Sequence, residues 1–300
     1  MNEIKSKCGS CKETSGSSAC GTCSSMKKSS NDDPISQQDA IINQTLSKIK
    51  YKLFVMSGKG GVGKSSVTVN IAAALAAKGY KVGILDVDIH GPSVPGLLGI
   101  RDKGMEGSEE GIEPVAYNEN LSVVSMDSLL ENKDSAILWR GPKKTAAVRQ
   151  FISDIKWGEL DFLVIDSPPG TGDEHMTILK TIPDILSVVV TTPQEVSLAD
   201  VRKALNFLET AHGKVLGVVE NMSGLACPHC GKEIELFKKG GGELLAKTQG
   251  LNFLGAIPLD PATVIAADLG VPVVLLKEDS VAKQSFLNLA QKITDACKAL

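Results

Sequence analysis

Phe54-Val55-Met56-Ser57-Gly58-Lys59-Gly60-Gly61-Val62-Gly63-Lys64-Ser65-Ser66 is an apolar strand that runs into a glycine-rich loop, and its reading decides the fold. Four glycines leave the backbone free to curl, so successive N–H groups and the start of a following helix converge on phosphate oxygens without Cβ obstruction. The spacing G-x-x-x-x-G-K-S is met by Gly58, Gly63, Lys64 and Ser65, with a helix-compatible run from Val67 to Lys78 behind it. In such a loop the lysine supplies a point charge for the β- and γ-phosphates and the serine hydroxyl a ligand for Mg²⁺. A turn that merely joined strand to helix would not need Lys64-Ser65. The stretch therefore predicts a nucleoside triphosphate site built from Gly58, Lys59, Gly60, Gly61, Val62, Gly63, Lys64, Ser65 and Ser66.

Outward from this loop, short β-branched or apolar runs recur at Lys52–Met56, Val82–Asp86, Leu121–Ser125, Phe162–Asp166, Ser187–Thr191, Val215–Val219 and Phe253–Ile257, with helical patterns between most of them. Alternation of that kind predicts an α/β fold: a mostly parallel, doubly wound sheet flanked by helices. Asp86, Asp88, Asp166 and Asn221 fall at or just after the carboxyl ends of predicted strands, where open parallel sheets bind ligands. Val281–Leu300 places Phe286, Leu289, Ala290, Ile293, Ala296 and Cys297 on one face at helical spacing and reads as a docking helix. Residues 1–50 read as a flexible cysteine-containing tail and linker, with a short amphipathic helix or linker at Ile35–Ile49, and 51–300 as the phosphate-loop domain.

A formal net charge of −3 and the lack of a dense Lys/Arg run argue against binding nucleic acid or anionic lipid. No apolar run approaches the roughly 20 residues that span a bilayer, and no signal peptide is evident, so a cytoplasmic address is expected. Six of the seven cysteines form three C-x-x-C pairs, which in a reducing compartment means metal or redox chemistry. Cys227-Pro228-His229-Cys230-Gly231 has the form of a metal knuckle and supplies two thiolates. An iron–sulfur cluster or a four-cysteine zinc site needs four, so a second pair must come from elsewhere, most simply from a second copy related by two-fold symmetry. Shared cluster, zinc, and redox-active or inert pair all remain open at this point. Cys8, Cys11, Cys20 and Cys23 form C-x2-C-x8-C-x2-C, a full set of four ligands for a second cluster or for zinc. Cys297 reads as a core thiol and the four histidines as structural.

Lys59 makes the loop G-K-G-G-V-G-K-S, a form shared by the deviant phosphate-loop ATPases that include MinD-like and nitrogenase-iron-protein-like enzymes. With Asp86-Val87-Asp88-Ile89-His90-Gly91-Pro92-Ser93, Val164-Ile165-Asp166-Ser167-Pro168-Pro169-Gly170-Thr171-Gly172-Asp173, and Glu220-Asn221-Met222-Ser223 followed by Cys227-Pro228-His229-Cys230, the chain resembles the Mrp/ApbC family of iron–sulfur cluster carrier ATPases over residues 51 to about 270. The resemblance implies a homodimer with two ATP sites at its interface and a 4Fe–4S cluster held by Cys227 and Cys230 of both copies. It further implies apo iron–sulfur proteins as recipients and cluster assembly proteins as partners. By similarity Asp166 holds Mg²⁺ through water, Gly170 offers its N–H to the γ-phosphate, and Asp88 orients the attacking water. Asp86 is a second candidate for that role or else a turn cap. Asn221 and the Pro258 region match adenine-contacting segments, although an Asn is also a common turn residue. Lys59 would reach into the partner's site and neutralise the transferring phosphoryl, so Lys59, Lys64 and Asp88 form the expected catalytic set. A MinD-like positioning switch and an ATP-driven iron–sulfur electron donor are the alternatives.

Overall fold

The computed structural model describes residues 34–88, 91–104, 107–108, 111–126, 141–226, 232–234 and 236–300. In chain order the elements are α1 (Pro34–Leu46), β1 (Ile49–Ser57), α2 (Lys64–Ala77), β2 (Val82–Asp86), α3 (Val94–Leu97), β3 (Gly107–Ser108), β4 (Gly111–Ile112), β5 (Val115–Asn118) and β6 (Leu121–Ser125). They continue with α4 (Gly141–Asp154), β7 (Leu160–Asp166), α5 (Asp173–Thr181), β8 (Ile185–Thr191), α6 (Glu195–Thr210), β9 (Lys214–Ala226), β10 (Glu233–Ile234), α7 (Gly241–Thr248), β11 (Phe253–Leu259), α8 (Pro261–Asp268), a 3₁₀ turn at Val273–Leu275 and α9 (Val281–Lys298).

Nine of the described strands form one sheet in the order β10-β9-β8-β1-β7-β2-β6-β5, with β11 also paired to β9. β11, β9, β8, β1, β7, β2 and β6 run parallel, while β5 and β10 are antiparallel additions. The mostly parallel α/β expectation holds. Its cause is visible in β1, where Leu53 and Val55 enter one core layer with α2 and α9, and Phe54 and Met56 enter the other with α1, α4, α5 and α6. A strand buried on both faces reads as a continuous apolar run rather than an alternating one.

Two strands match the sequence reading to the residue, Val82–Asp86 and Leu121–Ser125; the others extend further. β9 is the largest departure, thirteen residues from Lys214 to Ala226 where only Val215–Val219 was apolar enough to read. α9 buries Phe286, Leu289, Ala290, Ile293 and Cys297, as the docking-helix reading requires. The chain divides into two units, residues 1–37 and 38–300. Of the first, only 34–37 are described. The division falls earlier than the sequence boundary at 50/51 because Ile42, Leu46 and Ile49 are buried in the core of the larger unit. There Arg149 also donates to Asp39, and Gln38 to Gln150.

Candidate nucleotide site

β1 ends at Ser57 and α2 begins at Lys64, so the loop Gly58–Gly63 spans from a central strand to a helix N-terminus. Gly63 immediately precedes the helix at φ 78°, a left-handed conformation that favours glycine. α2 is apolar on nearly every side and buried accordingly, which fixes its first turn against the sheet. Gly58 lies against the backbone of α6, where a Cβ would overlap the Asp200 carbonyl. The loop is thus pinned between two helices.

Three side chains from the first turns of α2 converge on Asp166, the last residue of β7. Lys64 Nζ lies 2.7 Å from Oδ1, Ser65 Oγ donates to Oδ2 at 2.6 Å, and Thr68 Oγ1 donates to Oδ1 at 2.7 Å. Lys64 and Asp166 are 6% and 0% exposed, so the pair is shielded from water. Asp166 and Asp86 are register partners on neighbouring strands, and Ser125 is the next partner along the row. Burial and then the Asp166 carboxylate push the Asp86 carboxyl well above its ordinary value, opposed by the Asp88 N–H and by Lys64. Asp86 accepts from that N–H and from Ser125 Oγ, the geometry of a turn cap. Asp88 accepts from the Gly91 N–H at 3.2 Å.

A cavity of about 330 Å³ is lined by the loop, Lys59, Lys64, Ser65, Asp88 and Pro169, and a second of about 370 Å³ by Asp88, Pro169, Thr171, Gly172, Glu174 and His175. Asp88 and Pro169 line both. Gly170, at φ 83°, donates its N–H to the Ser57 carbonyl at 3.2 Å. Lys59 is half-buried, and its carbonyl accepts from Ser57 Oγ at 2.9 Å.

Asn221, on β9, donates to the Val62 carbonyl at 2.9 Å, and a Cβ on Gly63 would overlap its amide nitrogen. Its neighbour Glu220 is fully buried and accepts from Ser223 Oγ and from the N–H groups of Gly240 and Gly242, at the start of α7. Beyond Asn221, β9 runs to Ala226, and β10 returns antiparallel with Glu233 opposite Ala226 and Ile234 opposite Leu225. Cys227 and Cys230 fall in sequence between those two strands and lie outside the described residues, as do Cys8, Cys11, Cys20 and Cys23. Among the described residues no group of three His, Cys, Asp or Glu side chains is placed to hold a metal. Pro258 lies in β11.

The structure thus brings Gly58–Ser66, Asp88, Asp166, Gly170 and Asn221 to one edge of the sheet. Thr68, Ser125, Glu220 and His175 belong to the same neighbourhood and were not expected as site residues, His175 being read as structural and Glu220 only as part of the Glu220–Ser223 motif. Thr68 carried a usable signal, one helical turn after Lys64 on the buried face of α2.

Fold and loop together define a phosphate-loop NTPase. Residues 48–294 match the family model described as ParA, NUBPL iron-transfer P-loop NTPase, and the chain belongs to that family. It is 45% identical over 296 residues to the iron-sulfur cluster carrier protein of Methanocaldococcus jannaschii, covering 98% of each chain. It is also 45% identical to the human cytosolic Fe-S cluster assembly factor NUBP2 over 85% of this chain and 96% of that one. Among solved structures, a nucleotide-binding protein from Archaeoglobus fulgidus in complex with ADP aligns at TM-score 0.69 and 38% identity, covering 81% of this chain and 98% of that one. The cell division ATPase MinD of Pyrococcus furiosus, at TM-score 0.57 and 23% identity over 82% of this chain and 98% of that one, shares the fold.

Proposed function

We propose that this chain is an ATP-hydrolysing carrier that receives an iron–sulfur cluster at a two-fold interface between copies and hands it to apo-proteins. The observation that carries the reading is β9. One strand holds the phosphate loop through Asn221 and, five residues on, leads into the Cys227–Cys230 segment, whose flanks are drawn together by the β9–β10 pairing. The names of the Methanocaldococcus jannaschii and human relatives support the cargo.

In this reading ATP lies along Gly58–Ser66, with Lys64 on its phosphates. Ser65 and Asp166 would hold Mg²⁺; their oxygens are already neighbours, Ser65 Oγ donating to Asp166 Oδ2. Asp88 orients the attacking water, Gly170 offers its N–H to the γ-phosphate, Lys59 acts across the interface, and Asn221 borders the adenine. The cargo is a 4Fe–4S cluster shared by Cys227 and Cys230 of two copies, and Cys8, Cys11, Cys20 and Cys23 are a second ligand set. No helix of the described residues is long and apolar enough to cross a membrane. The name of the human relative, a cytosolic factor, supports the cytoplasm as the compartment we assign. A positioning switch is disfavoured because it has no use for the cysteine pairs.

The test is ATP-dependent transfer from cluster-loaded protein to an apo acceptor, with iron and acid-labile sulfide measured per dimer. With Cys8, Cys11, Cys20 and Cys23 replaced by alanine so that only the shared site is counted, about four of each is expected, lost on adding Cys227→Ala/Cys230→Ala. Transfer that proceeds identically in Lys64→Ala, which cannot hold nucleotide, would separate the ATP site from the cargo and overturn the reading.

A further inference from the structure

His175 sits in the first turn of α5, 1% exposed, and neither ring nitrogen has a hydrogen-bond partner among the described residues. Its ring is set edge-on between Phe54 of β1, at 5.7 Å, and Phe207 of α6, at 6.3 Å. Phenylalanine would suit such surroundings, because a buried polar atom left unpaired costs about 1–3 kcal/mol. A histidine kept there at that cost calls for a reason beyond packing. Its polar neighbour is the Pro168 carbonyl, near enough to favour the protonated ring yet outside hydrogen-bond geometry. That carbonyl accepts from Ser167 Oγ at 2.8 Å and has a second lone pair to give. Burial takes the pKa of His175 to about 4, so at neutral pH the ring carries one N–H and no charge.

Pro168 belongs to the loop that carries Gly170. The loop is held at one end by the Ser167 N–H on the Val55 carbonyl, and its Gly170 N–H is occupied by Ser57. Gly170 cannot serve a phosphate until it leaves Ser57, so the loop must change shape between Ser167 and α5. We propose that His175 is a positioning residue for phosphoryl transfer: when the loop draws toward the γ-phosphate, the ring N–H closes onto the Pro168 carbonyl and latches Gly170 in place. The proposal rests on the ATP-hydrolysis reading above. In the step it serves, a water oxygen bonds to the γ-phosphorus as the bond to the bridging β–γ oxygen breaks and ADP leaves. One water proton stays on the phosphate, and the other passes to solvent through Asp88. His175 exchanges no proton. Its bond forms only as the loop closes, so it lowers the barrier without tightening ADP binding.

The experiment uses the full chain and two variants, His175→Phe, which fills the space without a donor, and His175→Gln, which keeps one. Turnover, KM, thermal midpoint, and affinity for ADP and for a non-hydrolysable ATP analogue with Mg²⁺ are measured. Expected for His175→Phe is about a tenfold fall in kcat/KM, the worth of one hydrogen bond, and a lower analogue-to-ADP affinity ratio, with ADP affinity and thermal midpoint undiminished. His175→Gln should regain part of the loss. Parent-like turnover in His175→Phe, or loss of stability and ADP affinity in both variants, would reduce the ring to packing and overturn the proposal. Should the parent itself not hydrolyse ATP, the functional reading fails separately. The analogue-to-ADP affinity ratio then still reads the latch, and an unchanged ratio in His175→Phe counts against it.

Discussion

Lys64 Nζ lies 2.7 Å from Asp166 Oδ1, a buried ion pair that closes the nucleotide site upon itself. The lysine that should meet β- and γ-phosphates is paired with the carboxylate that should serve Mg²⁺, and Ser65 and Thr68 complete the same knot. Nucleotide with Mg²⁺ must exchange these contacts for its own. Lys64 also offsets the repulsion between two carboxylates, Asp166 and Asp86, that are register partners on adjacent strands.

Removing the lysine should therefore do more than abolish nucleotide binding. Lys64→Ala leaves Asp166 buried beside Asp86 with only hydroxyl donors, and breaking a buried pair in this way typically costs about 3–5 kcal/mol. Urea unfolding of the nucleotide-free protein should show a loss of that order. A midpoint equal to the parent's would mean that the pair is already balanced by Ser65 and Thr68.

The pH dependence of stability has a definite sign at His175. Its folded pKa of about 4 lies below the ordinary value of 6.5, so the unfolded chain binds the extra proton between them. Its contribution to stability is present above about pH 6.5 and lost as pH falls toward 4, on the order of 3 kcal/mol at the limit. Asp86 acts in the opposite sense, because a carboxyl raised by burial binds its proton more readily in the folded state. The difference between parent and His175→Phe isolates the histidine: thermal midpoints should diverge progressively below pH 6.5. Curves that stay parallel down to pH 4.5 would show that the imidazole is not buried neutral.

Lys59 lines the cavity of its own loop and is half-buried. If it completes the partner's site, Lys59→Ala should keep ATP affinity within a few-fold while turnover falls by about 10³ to 10⁵, the usual worth of such a cation in trans. Mixing Lys59→Ala with Lys64→Ala should then restore a fraction of activity, since hybrid dimers hold one site with both lysines. Parent-rate hydrolysis by Lys59→Ala alone would make it a loop lysine.

The sequence exposed the parts of this fold whose chemistry is local. Gly58–Ser66 needs only its own residues to be recognised, and Val82–Asp86 and Leu121–Ser125 are apolar runs with clear ends. β9 was cut short because Glu220-Asn221-Met222-Ser223 is polar, with Met222 at φ 57°, so nothing local marks it as strand. Its buried polar groups are satisfied by Val62, Gly240 and Gly242, partners far away in sequence. β5 was missed for a different reason: Val115–Asn118 is a short, partly exposed edge strand running antiparallel. The unpaired imidazole of His175 is a property of burial, which sequence spacing does not report.

Glu220 offers the sharpest separation of hydrolysis from cargo transfer. It holds Gly240 and Gly242 at the start of α7 while its neighbour Asn221 holds the phosphate loop, so β9 meets the nucleotide site and α7 at adjacent residues. Six residues after Asn221 the chain reaches Cys227. A rigid strand with both attachments transmits a loop displacement to the cysteine segment; with the α7 attachment loosened, the strand yields locally instead. Glu220→Gln replaces one accepting oxygen by an amide, leaving a backbone N–H facing a donor at a cost of about 1–3 kcal/mol. ATP hydrolysis should persist within a few-fold, because Glu220 touches neither the phosphate loop nor Asp166. The acceleration of cluster transfer by ATP should shrink toward the rate without nucleotide. Transfer that keeps its full ATP dependence in Glu220→Gln would show that the coupling bypasses α7, leaving the loop at Gly170 and Asp88 as the route.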